Sequence, residues 1–539
     1  TQEGLFLALF TVLGTLAAAG LGFALFGLSQ GGVVDRIAAL MDRYSDRQAC
    51  LIGALVAAAA SLAVTHLVHG GAFLTDDEMA MLFQARLLAE GRLSAEATPF
   101  PGVFAYAMMV ESPSWYGIYP PGHPAALALS LRATGDPHVV VAVMAAGWAC
   151  LTFTLARRLF GRPTALLSLG LLLLSPFFVL SSGSLAAQMT SGLFLLGAAN
   201  LALRLDGRRP LLSAAGLGLC LGAAYLARPY TALAVALPLV YLAARLWLRG
   251  RAPRWSPFVI LAAGAPFAAL YLWSNAALTG SPWVTPYEVN FAGIFRLGFG
   301  QDAFGVVHTP ALALAVAGLV LLGLNAWALG WPLSLLPVGL ALGLGRLRGR
   351  ALAVASIPLV VLVAHLPVPM AGVHDTGPLY YLEVLPVLVI LAARGLVLTG
   401  RRIEGAWGGR GRDLVATLAL AATLVGGLLF FRQQVDVLRS LADFNETPYR
   451  IAEGVIEGRA VVFVDDIQTS PPSSWVLGNR PPRPDLGDRI IYGNVPTEDV
   501  AAAVVEWSED RAPYYLSRDR RTGDVTVVPL PLAGAPRRE

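Results

Sequence analysis

Thr75-Asp76-Asp77-Glu78-Met79-Ala80 sets three consecutive carboxylates just after an apolar run, residues 50–68, of membrane-spanning length. Acids are costly inside hydrocarbon, so carboxylates hard against a membrane boundary point to a site facing a polar cavity. They would serve equally as a marker of the bilayer exit, or as a cap on the helix that follows, because acids favour a helix N-terminus.

Around that stretch the chain is apolar throughout, with 56% hydrophobic against 14% charged residues over 539 positions and a mean hydropathy of +0.63. Such a composition excludes an ordinary soluble protein and fits a polytopic membrane protein. Runs long enough to cross about 30 Å of hydrocarbon fall at 5–28, 50–68, 138–157, 163–182, 186–204, 211–227, 229–248, 256–274, 331–346, 352–368, 378–397 and 413–431. They make about twelve spans, the first read as a retained span because no basic segment precedes it. The formal net charge of +4 is carried by arginines, with no lysine in the chain. They gather in short loops, including Arg36, Arg43 and Arg47, then Arg157, Arg158 and Arg162, then Arg346, Arg348 and Arg350. There they set topology, and a nucleic-acid partner is not indicated.

With twelve spans every arginine cluster falls on one side, which the positive-inside rule makes cytoplasmic. The loops 69–137, 275–330 and 369–377, and everything after 431, are then external. Pro310 to Leu329 is apolar enough for another span, but counting it would move Arg346 outside, so it reads as an interfacial or re-entrant helix. All seven histidines fall at or near the external face. Cys50, Cys150 and Cys220 sit in or beside apolar runs and read as small core residues. Residues 432–539 change composition, with strand-like runs at 461–464, 489–492, 514–516 and 525–528. They read as a small external α/β or α+β domain following a transmembrane domain of residues 1–431. Asp465 and Asp466 at the end of its first strand read as turn formers.

Asp77-Glu78 stands after an early span and before a helix that ends in Gly91-Arg92-Leu93, and Tyr119-Pro120-Pro121-Gly122-His123-Pro124 follows. This order resembles the first external loop of the GT-C superfamily of integral-membrane glycosyltransferases, in particular the protein O-mannosyltransferases and the bacterial lipid A aminoarabinose transferase. Ala156-Arg157-Arg158-Leu159-Phe160-Gly161-Arg162, Arg228-Pro229 and Gly377-Pro378-Leu379-Tyr380-Tyr381-Leu382-Glu383 agree with it, so the resemblance covers roughly residues 50–400.

The resemblance implies a mainly α, GT-C-type helical bundle in a bacterial inner membrane, with its active site and tail on the periplasmic side. It implies a polyprenyl-phosphate-linked sugar donor and an inverting transfer with Asp77 as general base. The neighbouring Asp76 competes for that role, Glu78 completes the acidic set, and crowding of the two aspartates would raise one pKa. A glycan, lipid or protein would accept the sugar. Relatives differ in the use of a divalent ion, so a metal cofactor stays open.

The leaving lipid phosphate calls for a cation in the outer half of the membrane. Arg228 fits, at a tight outer turn where topology requires no charge; it would serve equally as a snorkelling arginine or as the partner of an acid from another span. Arg296 is a second candidate. His374, Asp375, Tyr380, Tyr381 and Glu383 form another polar cluster at the outer face, and Tyr119 and His123 join them as substrate contacts. Gln188 stands at an outer turn where relatives carry His or Asp. The rival readings are a transporter or flippase of lipid-linked glycans, or a non-catalytic scaffold. Against the first stand the absence of an internal hydropathy repeat and of ionisable groups in mid-span.

Overall fold

The computed structural model describes residues 2–29, 31–106, 108–291, 297–301, 305, 307–370, 372–373, 376–465, 480, 482–508, 510–519 and 522–531. The chain divides into two compact units, one of residues 1–64, 139–270 and 293–438, the other of residues 65–138, 271–292 and 439–539.

The first unit is helical, and all twelve expected runs form helix. Among the described residues nine helices are long and apolar enough to cross a membrane, by length and composition: eight of the expected runs and, in addition, Pro310–Trp327. Four expected runs fall short, chiefly because prolines interrupt them. Arg162–Leu174 stops at Ser175, held extended at ψ 118° by the proline after it, and Ser175 then caps a new turn, Pro176–Ser181. Arg350–Ala355 and Ile357–Ala364 are likewise separate pieces, and Pro358 withholds one helix N–H between them. Leu336–Leu344 has 9 residues, about 13 Å of helix at 1.5 Å each.

Pro310–Trp327 has crossing length, and residues at its two ends have close neighbours in the unit. His308 Nε2 lies 2.9 Å from Leu366 O, Trp327 lies against Gly377, and His365 and Tyr380 stand 6.0 Å apart between them. Elsewhere in the unit backbones touch directly. A Cβ at Gly395 would sit 1.8 Å from Pro337 O, and one at Gly426 1.9 Å from Gly330 O. Such contacts between apolar helices need small residues.

The second unit joins the loop that holds the acidic stretch to the tail. All four expected runs of the tail form strands. Ala460–Asp465 is central, parallel to Ile490–Asn494 on one side and to Ala512–Arg518 on the other, and Val525–Pro529 pairs antiparallel at the edge. The helix Glu498–Trp507 makes the crossover, which gives an α/β layer.

Two features link the tail to earlier parts of the chain. Its first helix is continuous with the last apolar run, as one helix Gly409–Val455, because the change to polar residues near 432 brings no helix stop. The sheet also shares one core with the first loop, where Phe83, Phe104 and Trp115 pack with Phe463, Tyr492 and Leu516. Val461–Val464 is buried on both faces and so requires cover on each. Tyr106 Oη donates to Tyr492 O at 2.9 Å, and Asn494 N donates to Val103 O at 2.7 Å.

Candidate functional site

The acidic stretch opens the helix Asp76–Ala89. Thr75 is its N-cap, with backbone extended at φ −137° and its hydroxyl accepting from Glu78 N. Gly91, at φ +79°, closes the other end while Arg92 N donates back to Leu87 O. The three acids occupy the first turn, where the helix dipole favours negative charge. They differ in surroundings. Glu78 is buried and accepts from Leu74 N at 3.2 Å, a local structural bond. Asp77 accepts a hydrogen bond from the Tyr119 hydroxyl. Asp76 is half-buried, and burial, followed by the charge of Asp77, pushes its carboxyl up to about 7.

Tyr119 is held by the same helix that carries Asp77. Gln84 Nε2 donates to Tyr119 O at 2.8 Å, and Tyr119 N donates to Gln84 Oε1 at 3.3 Å. The strand Ser114–Gly117 lies close enough that a Cβ at Gly117 would meet Ala80 O at 2.9 Å. A side chain there would force helix and strand apart and carry the tyrosine away from the acid. His123 is fully buried in the helix Gly122–Thr134, which packs on Asp76–Ala89.

Because the Asp76 pKa is raised on folding from 3.8 to about 7, the folded state holds its proton where the unfolded state has lost it. The associated stability is complete below about pH 4 and lost as pH rises through about 7. Asp76→Asn removes that loss. It is expected to raise Tm at pH 8, by an amount corresponding to roughly 1–4 kcal/mol, and to leave Tm near pH 4 unchanged, as read by thermal unfolding at each pH.

A second cluster belongs to the helical unit. Arg228 is the junction residue between Pro210–Ala227 and Pro229–Leu248, at φ −146° and ψ 84°. Its Nε lies 2.8 Å from Glu383 Oε1 in an ion pair, and Ser191 Oγ donates to the same oxygen at 2.6 Å. Arg228 Nη2 reaches Thr231 Oγ1 at 3.5 Å, and its guanidinium carbon stands 5.7 Å from the Tyr380 ring centre. The Glu383 side chain is wholly buried, and its Oε2 has no hydrogen-bond partner among the described residues. His365 packs against Tyr230 and Tyr381, each at 5.2 Å, and Tyr230 Oη donates to Ala364 O.

The structure therefore brings Asp76, Asp77 and Tyr119 together in one unit, and Arg228, Glu383, Tyr380 and Tyr381 in the other. Gln188 is buried and adjoins the latter cluster one turn before Ser191. Arg296, His374 and Asp375, and Asp466 in the tail, lie outside the described residues. Sequence reasoning missed Gln84, Ser191 and His365. Gln84 is seven residues from Asp77 and Ser191 three from Gln188, spacings that share a helix face. His365 carried only the general outer-face signal. Among the described residues no three His, Cys, Asp or Glu side chains come together as metal ligands.

No protein-family model matches the chain, and no curated protein matches its sequence. Solved structures do. ArnT from Cupriavidus metallidurans bound to undecaprenyl phosphate is similar over 85% of this chain and 92% of its own, at TM-score 0.52 and 14% identity. The same protein in its apo state matches over 85% and 91%, again at TM-score 0.52 and 14% identity. By this likeness, the chain has the GT-C-type fold that its sequence resembles.

Proposed function

We propose that the chain is a membrane glycosyltransferase that moves a sugar from a polyprenyl-phosphate-linked donor to an acceptor hydroxyl on a glycan, lipid or protein. Its place is the inner membrane, with the reaction on the periplasmic side. Asp77 takes the proton from the acceptor as that oxygen bonds to the anomeric carbon. The bond from that carbon to the phosphate oxygen breaks, its electron pair leaves with the lipid phosphate, and the carbon inverts. Arg228, aligned through Nε by Glu383, offers its Nη groups to the phosphate as negative charge grows there.

The observation that most supports this reading is the pairing of Asp77 with Tyr119 at the head of a capped helix, beside a second carboxyl pushed up to about 7, in a chain with this fold. The test is direct. Purified chain is incubated with undecaprenyl-phosphate-linked pentoses and hexoses and an envelope extract, and released undecaprenyl phosphate is measured by mass spectrometry. One donor is expected to turn over, and its sugar to be missing from the envelope of cells that lack the gene. An unchanged envelope together with no turnover of any donor would overturn the proposal.

A further inference from the structure

A cavity of about 610 Å³ opens at the arginine-bearing ends of the helices in the first unit, at the opposite end of Pro229–Leu248 from Arg228. Six arginines from three separate stretches line it: Arg158, Arg245, Arg249, Arg251, Arg348 and Arg350. Among the described residues one acid serves them. Asp206 Oδ2 pairs with Arg251 at 2.9 Å and also with Arg350. Among the described residues Arg158, Arg245, Arg249 and Arg348 have no acidic partner within ion-pair distance. The positive-inside rule accounts for arginines at these helix ends, but not for their convergence on one cavity, where like charges repel. Arg245 and Arg249 even stand one turn apart on the same helix face.

The volume lies within the range of small-molecule sites, about 300–1,000 Å³. Leu242 and Leu246, both buried, form apolar wall beside the charges. Trp247 and Trp255 are exposed in the same stretch of chain, as aromatic residues at a membrane interface are. We infer that this cavity binds a phosphate group, that of an anionic phospholipid headgroup or of a soluble phosphate compound. The guanidinium fork matches phosphate oxygens, and basic pockets between helix ends at the membrane surface suit anionic headgroups.

The test uses the full chain in detergent, with Tm read as phosphatidylglycerol, phosphatidylethanolamine or, at constant ionic strength, potassium phosphate is added. Ligand that binds only the folded chain raises Tm. Phosphatidylglycerol is expected to raise it and phosphatidylethanolamine not to. In Arg245→Gln/Arg348→Gln the midpoint is expected to weaken by about tenfold or more, while Arg43→Gln/Arg208→Gln, with equal charge loss outside the cavity, responds as wild type. A cavity-dependent response to potassium phosphate without one to phosphatidylglycerol identifies the soluble source. Relief of repulsion keeps the ligand-free Tm of the cavity variant at or above that of wild type; should that variant not fold, Arg249→Gln replaces it. Equal responses of wild type and cavity variant to both probes would overturn the inference.

Discussion

Asp77→Asn is expected to abolish sugar transfer, lowering kcat by about 10²–10⁴-fold, the usual contribution of a positioned general base. Apparent donor affinity should hardly change, because the lost interaction is made in the transition state. The substitution is suited to separating chemistry from folding. An asparagine oxygen still accepts from the Tyr119 hydroxyl, so the link between helix and turn survives. The variant also removes the charge that, after burial, raises the Asp76 pKa. Any residual activity should therefore show its acid limb at lower pH than about 7, the value Asp76 has beside Asp77. Near-normal turnover in Asp77→Asn, with loss in Asp76→Asn, would move the base to Asp76 and refute the assignment.

Arg228→Ala is expected to have the largest effect on donor binding and, separately, a large effect on stability. Glu383 has a wholly buried side chain whose ion pair is with Arg228. Removing one member of a buried pair costs about 3–5 kcal/mol, because the other is left charged and unpaired. The single variant thus confounds two losses. The double variant Arg228→Met/Glu383→Gln separates them, since neither side chain then carries a charge. Its Tm should return most of the way to wild type, while donor affinity, from kinetics at varied donor concentration, stays at least about tenfold weakened for want of the phosphate partner. Recovery of both together would make Arg228 a purely structural arginine.

How far the sequence carried these readings depends on the distance over which each signal acts. Local signals were legible. The Thr75 cap, the helix that starts at Asp76 and its end at Gly91 follow from neighbouring residues, and the strand at Val461–Val464 follows from a run of β-branched and aromatic side chains. The spans were legible as apolar runs, but the break at Ser175-Pro176 shows that one proline divides a run that hydropathy treats as continuous.

Pairings far apart in the chain were not legible. Nothing near Arg228 names Glu383, and nothing near Val103 names Asn494, since such contacts are set by how elements pack and not by local pattern. The core of the tail follows the same rule: its strands announce themselves, while the loop that completes their core does not. Gln84 was invisible as a site residue because a glutamine inside an apolar helix carries no chemistry of its own.

Gln84 nevertheless has a consequence for how such a protein can diversify. It fastens the backbone of Tyr119 to the helix of Asp77, so that helix and turn form one jig with two hydrogen bonds of its own. The loop between helix and turn is anchored to the tail through Tyr106 and Val103. Exposed positions of the loop and of the tail sheet can consequently change together without breaking the hydrogen bonds that set tyrosine against acid.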